Sequence, residues 1–266
     1  MAKPEPAIHE LFDLSGRVAM VTGAAGYLGR AMGRALAEAG SRVIATSREA
    51  RRAEEFARTL PDPRDAGHFG IELDHLDPAS IERCFTEAIR RAGRLDVLVN
   101  NANEAAADDW TTVSAEQFQK QLANAMGYFL LARHARNHAV ARGSAASVIM
   151  LGSMYGLVGS YPDAYEGLMP ASPVGYHALK GAIIQMTRHL AVYWAKDRVR
   201  VNCLSPGPFP SPQVPSGLVE RLSRHSPMGR MGLPHELKGA VVFLASDASS
   251  YMTGQNLVID GGWTAQ

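Results

Sequence analysis

The sequence predicts a doubly wound α/β fold built on a parallel sheet. Three observations carry this: short β-branched runs alternate with amphipathic segments, the intervening helices exceed ten residues, and a glycine-rich turn joins the first strand to the first long helix. Strand, helix and strand in succession require right-handed crossovers, with helices covering both faces of the sheet.

The strand candidates are 17–22 (RVAMVT), 42–46 (RVIAT), 69–73 (FGIEL), 96–99 (DVLV), 147–151 (SVIML), 199–204 and 257–259 (LVI). Between them lie helix candidates near 27–39, 49–59, 78–92, 114–141, 176–196 and 234–245. Asp77-Pro78 places a capping carboxylate ahead of a proline at the first helical position. Ser114 with Gln117 forms a capping box, and Val113 with Phe118 a hydrophobic staple. The proline-rich stretch 205–217 reads as one long loop before the last helices. With no internal repeat or low-complexity linker, the expected organisation is an N-terminal arm over 1–15 and one domain over 16–266.

Composition narrows the function classes. Apolar residues make up 46% and charged residues 20%, a globular balance. Twenty-seven basic against 26 acidic residues leave a formal net charge of +1, which gives no electrostatic case for nucleic acid or an anionic membrane. Cys84 and Cys203 stand apart from any metal-binding spacing and are expected to be buried, reduced thiols. The N-terminal stretch lacks an apolar h-region and carries three acidic residues, Glu5, Glu10 and Asp13, so no signal peptide is expected. No apolar run approaches a membrane span. The expectation is a cytoplasmic protein with no membrane or nucleic-acid partner.

The first strand runs into Thr22-Gly23-Ala24-Ala25-Gly26-Tyr27-Leu28-Gly29 and then a helix. In that context glycines let the backbone approach a pyrophosphate whose charge meets the helix N-terminus. Asp or Glu at the end of the second strand would suit the ribose 2′-hydroxyl of NAD. Here that place reads Ala45-Thr46-Ser47-Arg48, followed by Arg51 and Arg52. A guanidinium without the carboxylate suits a 2′-phosphate, so NADP(H) is the expected coenzyme and NAD(H) the second choice.

Together with the glycine turn, several landmarks resemble the short-chain dehydrogenase/reductase family over about residues 10–264. They are Asp74, Asn100-Asn101-Ala102-Asn103, Asn124, Ser153, Tyr176-xxx-Lys180, Pro206-Gly207 and the ending YMTGQ…DGG. The resemblance implies a Rossmann fold with a seven-stranded sheet in the order 3-2-1-4-5-6-7, a homotetramer or homodimer, and an oxidoreductase acting on a ketone/alcohol pair. It implies Tyr176 as general acid/base, Ser153 as the group holding the carbonyl, Lys180 as ribose binder that lowers the tyrosine pKa, and Asn124 as holder of a relay water. The implied coenzyme contacts are Gly23, Ala25, Tyr27, Leu28, Ser47, Arg48, Asp74, Leu76, Asn100, Ala102, Tyr176, Lys180, Pro206, Gly207, Phe209 and Ser211. Chemistry supports the pair independently: a free tyrosine titrates near pH 10, and a cation one helical turn away favours the phenolate.

Four departures from the family pattern stand out. Tyr27 replaces a usual glycine, as in the sugar-nucleotide epimerases, whose additional C-terminal substrate domain is not expected here. Asn103 replaces the glycine of Asn-Asn-Ala-Gly while remaining compatible with a left-handed backbone. Ser211 stands for a usual threonine. Tyr176 follows Ser153 at a longer spacing than usual, and the extra residues resemble those of reductases in bacterial sugar and flagellin-modification pathways. Tyr155, Tyr161, Tyr165 and Glu166 are therefore expected to shape a site for a sugar-like substrate; an Ω-loop serving packing or oligomer contact is the alternative. A 3-oxoacyl thioester or another cyclic ketone is the second substrate class, and a non-catalytic NADP-binding regulator the rival of another kind.

No metal site is expected. His134 and His138 have helical i,i+4 spacing without a third ligand and read as a solvated helix end. Arg90, Arg91 and Arg94 read as complements to a helix dipole, and His177 as pointing away from the catalytic face. Leu179, Ile183, Met186, Leu190 and Trp194 form an apolar face for core or subunit contact.

Overall fold

A computed structural model describes residues 5–104 and 110–266. The first four residues of the expected N-terminal arm lie outside it. Seven parallel strands, β1 (Val18–Val21), β2 (Arg42–Ser47), β3 (Phe69–Glu72), β4 (Val97–Asn100), β5 (Ala146–Leu151), β6 (Val199–Pro206) and β7 (Asn256–Ile259), form one sheet in the order 3-2-1-4-5-6-7. The expected strands match these within one or two residues.

The helices are α1 (Ile8–Phe12), α2 (Tyr27–Glu38), α3 (Ala50–Arg58), α4 (Pro78–Ala92), α5 (Ala115–Ala141), α6 (Pro162–Tyr165), α7 (Val174–Trp194), α8 (Ser216–His225) and α9 (Lys238–Ala245). Continuous apolar strands suit a sheet buried on both faces, and side-chain alternation sends each strand's residues into two layers. Val18, Met20, Ile44, Val148 and Met150 join the layer with Ile81, Phe85, Leu131 and Ile183 of α4, α5 and α7. Ala19, Val21, Val43, Ala45 and Ile149 join the opposite layer with Met32, Leu36, Phe56 and Leu244 of α2, α3 and α9.

Local signals set several boundaries. The Asp77 carboxylate accepts from Ala79 N at 2.9 Å, and Gly93 closes the same helix at φ 75°. Ser114 and Gln117 exchange their capping-box bonds at 3.1 and 2.8 Å. Leu14 is fully buried and its N–H bonds Ala39 O at 2.9 Å, so the end of the expected arm contributes to the domain core.

Some readings of the sequence change. The stretch taken as a loop gives way at Ser216 to α8, whose Leu218 and Leu222 are buried against Trp263. The helix is short, ten residues, and follows directly on the proline-rich stretch, with Leu218, Val219 and Leu222 as its apolar side. Arg90 and Arg91 fall in the last turn of α4, as expected; Arg91 also lies 3.9 Å from the Phe69 ring centroid, and Arg94, beyond the helix, chelates its near neighbour Asp96 at 2.7 and 2.8 Å. His134 stacks on Phe85 at 5.1 Å and His138 meets the same ring edge-on at 6.0 Å, where a solvated helix end was expected. On α7, Leu179, Ile183 and Leu190 are core residues, with Met186 and Trp194 packed against them.

β1 lies between β2 and β4, and the chain reverses its winding direction there. The C-terminal ends of β1 and β4 open the crevice where ligands bind in such sheets.

Candidate active site

Two cavities sharing Leu28, Asn101 and Asn103 line the C-terminal edge of the sheet, of about 350 and 250 Å³. The first is framed by the glycine turn, the end of β2 and the segment after β4. The second is framed by the ends of β5 and β6 and the start of α7.

The glycine turn is locked by its neighbours. Gly23 sits at φ +61°, and a Cβ on Gly29 would fall 2.3 Å from Gly23 O, so neither position accommodates a side chain. The Thr22 hydroxyl accepts from Asn101 N at 2.8 Å and Ala102 N at 2.9 Å, while Asn101 Nδ2 donates to Thr22 O at 2.8 Å. Glycines that admit a close approach, followed by the N-terminus of the twelve-residue α2, fit a pyrophosphate. Thr22 and Asn101 were missed as positioning residues, since only the fold brings β1 beside the Asn-Asn stretch.

Gly23, Ala25, Tyr27, Leu28, Ser47, Arg48 and Ala102 line the first cavity. Ser153, Tyr176, Lys180, Pro206, Gly207 and Phe209 line the second, again with Leu28. Asp74 and Leu76 do not line the first: the Asp74 carboxylate accepts from Leu76 N at 2.9 Å, and Leu73 and His75 face the cavity instead. Asn100 is fully buried and donates to Tyr128 O at 2.9 Å, leaving its Oδ1 without a partner among the described residues. Ser211 lies beyond the lining, with its carbonyl accepting from Val214 N at 3.0 Å. Among described non-glycine residues only Asp65 and Arg198 have positive φ, so Asn103 is not in the left-handed region.

Sequence reading also missed Glu104, which crowds the β2 end of the cavity. Arg52, Glu49 and Glu104 join Arg48 there, and the Arg48 guanidinium bonds the Glu104 carboxylate at 2.8 Å. Nothing in the local sequence pairs positions 56 residues apart.

At the second cavity, Ser153 ends β5 as the cap of a 3-10 turn, its hydroxyl accepting from Tyr155 N at 3.2 Å. Tyr176 and Lys180 project from the first turns of α7. Lys180 Nζ donates to Leu151 O at 2.8 Å and lies 5.4 Å from the Tyr176 ring centroid. Burial lowers the Lys180 amine from 10.5 to about 8. Burial raises the Tyr176 phenol, with the Ser153 hydroxyl opposing and Tyr165 adding to the rise. Lys180 was expected to bring this phenol down. Within the protein alone, desolvation of the buried phenol wins.

Asn124 is fully buried in α5 and its side chain is saturated. Its Oδ1 accepts from His75 Nε2 at 2.7 Å and Glu104 N at 2.8 Å, and its Nδ2 donates to Gln121 O at 2.8 Å and Glu104 O at 3.1 Å. With both lone-pair sites and both N–H groups used, the side chain has no capacity left for the expected relay water. Its observed work is to clamp the segment after β4.

The expected substrate loop is a packed body. Tyr155 stacks on His177 at 4.5 Å and shares a hydroxyl contact with Tyr165 at 2.8 Å; His177 Nε2 meets Ser172 Oγ at 3.0 Å. His177, expected to have no role, thus positions Tyr155. Tyr161 lies against His225 at 3.8 Å and edges Trp263 at 5.4 Å, while the Glu166 carbonyl accepts from Arg221 at 2.7 Å. None of Tyr155, Tyr161, Tyr165 or Glu166 lines the two cavities, because the apolar side chains of α8 and Trp263 draw the loop into a core of its own.

A family model described as enoyl-(acyl carrier protein) reductase matches residues 23–264. The chain is 36% identical over 257 residues to cis-4-hydroxycyclohexanecarboxylate dehydrogenase of Sinomonas cyclohexanicum, covering 94% of this chain and 97% of that one. It is 36% identical over 261 residues to the L-tagatose-forming galactitol 2-dehydrogenase of Cereibacter sphaeroides, covering 96% and 97%. A short-chain type dehydrogenase/reductase structure from Mycobacterium marinum superposes with a TM-score of 0.87 at 32% identity, covering 98% of this chain and 100% of that one. A gluconate 5-dehydrogenase from Burkholderia cenocepacia J2315, in complex with NADP and tartrate, gives a TM-score of 0.85 at 28% identity, covering 97% and 99%.

Proposed function

The chain belongs to the short-chain dehydrogenase/reductase family, and from that premise we propose that it is an NADP(H)-dependent enzyme interconverting a ketone and a secondary alcohol on a polyhydroxylated, sugar-like substrate. Membership makes it an oxidoreductase of alcohol groups that binds a nicotinamide dinucleotide. The catalytic assignment rests on one observation: Ser153, Tyr176 and Lys180 line a single cavity that continues into the glycine-turn cavity.

Bound coenzyme would supply the hydride and, when oxidised, a positive charge beside the phenol. The glycine turn and the N-terminus of α2 would hold its pyrophosphate, Lys180 its nicotinamide ribose, and Arg48 its 2′-phosphate. In reduction, Ser153 and Tyr176 hydrogen-bond the substrate oxygen and fix the carbonyl carbon for attack. Tyr176 then releases its proton to that oxygen as the C–H bond forms on carbon. Lys180, held on Leu151 O and carrying a lowered pKa, passes a proton back to the phenolate. Oxidation runs these transfers in reverse. Burial that raises the phenol keeps Tyr176 protonated until a bound cation offsets it, which favours the donor state for reduction.

The relatives named above act on a ring alcohol and on a polyol, which supports a cyclic or polyhydroxylated substrate over an acyl thioester. Tyr176→Phe tests the assignment. It should abolish turnover with every substrate of a polyol and cyclic-ketone panel while coenzyme affinity changes little. Retained turnover would reject Tyr176 as the acid/base.

A further inference from the structure

We infer that Glu104 is a selectivity-determining residue that opposes a 2′-phosphate, so that coenzyme choice is set by the balance between Glu104 and Arg48 rather than by Arg48 alone. This deepens, and rests on, the reading of Arg48 as the group that meets the phosphate.

The observations come from opposite walls of one cavity. Arg48 and Arg52 enter from the end of β2 and the start of α3, and Glu104 enters from the segment after β4. Glu104 Oε2 accepts from Arg48 Nη1 at 2.8 Å, and its other oxygen lies 3.7 Å from Lys120 Nζ. Arg52 is engaged as well, with Glu49 at 3.5 Å. Each cavity-lining guanidinium therefore already faces a carboxylate of its own chain.

Glu104 is not free to retreat at the level of its main chain. Its N–H and carbonyl are both held by the buried Asn124 side chain, at 2.8 and 3.1 Å. The clamp thus delivers the carboxylate to the coenzyme wall. An incoming phosphate must displace Glu104 from Arg48 or share the guanidinium with it, beside a charge of its own sign. A 2′-hydroxyl carries no charge, meets no such repulsion, and can donate a hydrogen bond to a carboxylate. Discrimination between the two coenzymes is compressed accordingly.

The test is calorimetric titration of the full chain with 2′,5′-ADP and with 5′-AMP, two probes that differ by the phosphate, at one fixed salt concentration. Glu104→Gln keeps shape and removes charge. It should tighten 2′,5′-ADP about fivefold to tenfold and move 5′-AMP by less than about twofold. Arg48→Gln should weaken 2′,5′-ADP selectively, and adding Glu104→Gln to that background should then gain little, since the shared guanidinium is gone. Glu104→Ala, which keeps the same main-chain clamp, should rank as Glu104→Gln does. If Arg48→Gln weakens 2′,5′-ADP but neither Glu104 variant tightens it, the inference fails while the phosphate reading stands. If Arg48→Gln leaves 2′,5′-ADP unchanged, the phosphate reading fails and the inference with it.

Discussion

Replacing Lys180 with methionine should destroy turnover while altering stability in a pH-dependent way that measures the burial of its charge. The amine is buried, bonds Leu151 O at 2.8 Å, and titrates near 8 in place of 10.5. A base whose folded pKa is depressed costs stability wherever it must be protonated in both states. Below pH 8 the full shift applies, at about 1.4 kcal/mol per unit, or roughly 3 kcal/mol. Between pH 8 and 10.5 the folded lysine has lost its proton while the unfolded one keeps it, so the cost fades to about 1.4 kcal/mol at pH 9.5. Methionine also orphans the Leu151 carbonyl, a pH-independent loss of about 1–3 kcal/mol. The absolute change at pH 7 is thus small, but the difference between variant and parent should fall by about 2 kcal/mol from pH 7 to pH 9.5. Cys203 and Cys84, pushed up by burial to about 11 and about 12, act with the opposite sign above pH 9; Cys84 acts alike in both chains, whereas Cys203 loses the lowering influence of Lys180 in the variant. Urea unfolding of both proteins at the two pH values reads the difference directly. Parallel stabilities, within about 0.5 kcal/mol, would refute a desolvated, charged Lys180.

Asn124→Ala should lower stability by about 2–4 kcal/mol in chemical denaturation, since it removes four hydrogen bonds at once, two of them buried and two part-buried. By loosening Glu104 it should also ease the opposition to a 2′-phosphate and tighten 2′,5′-ADP. A variant as stable as the parent would mean that this clamp is dispensable. Tyr128→Phe removes a fully buried hydroxyl that lacks a partner among the described residues, and should raise the melting temperature slightly, by about 1 kcal/mol of stability. Destabilisation instead would show that the hydroxyl is satisfied.

The fold was legible because its signals are local. The short, continuous apolar runs Val18–Val21 and Val148–Leu151, the Asp77 and Ser114 caps, and glycines where a Cβ cannot fit are all properties of short stretches of chain. Tyr176 and Lys180 were legible for the same reason, being one helical turn apart. By contrast α8 starts from Pro215 with no capping side chain, so nothing local separated it from the proline-rich stretch before it. The loop over 154–173 offered three tyrosines but no sign of which surface they would meet.

By itself, then, the sequence determined the sheet order through the family pattern, the crevice at the end of β1, and the identities of Ser153, Tyr176 and Lys180. Only the tertiary structure decided that Asn124 spends its whole side chain on a clamp, that Glu104 confronts Arg48, and that the tyrosine loop packs on Trp263 and α8. It also decided that burial, not the neighbouring lysine, sets the Tyr176 phenol. The physical reason is range. Propensity, capping and helical spacing act over a few residues, whereas desolvation and charge pairing depend on which distant segments the fold brings into contact.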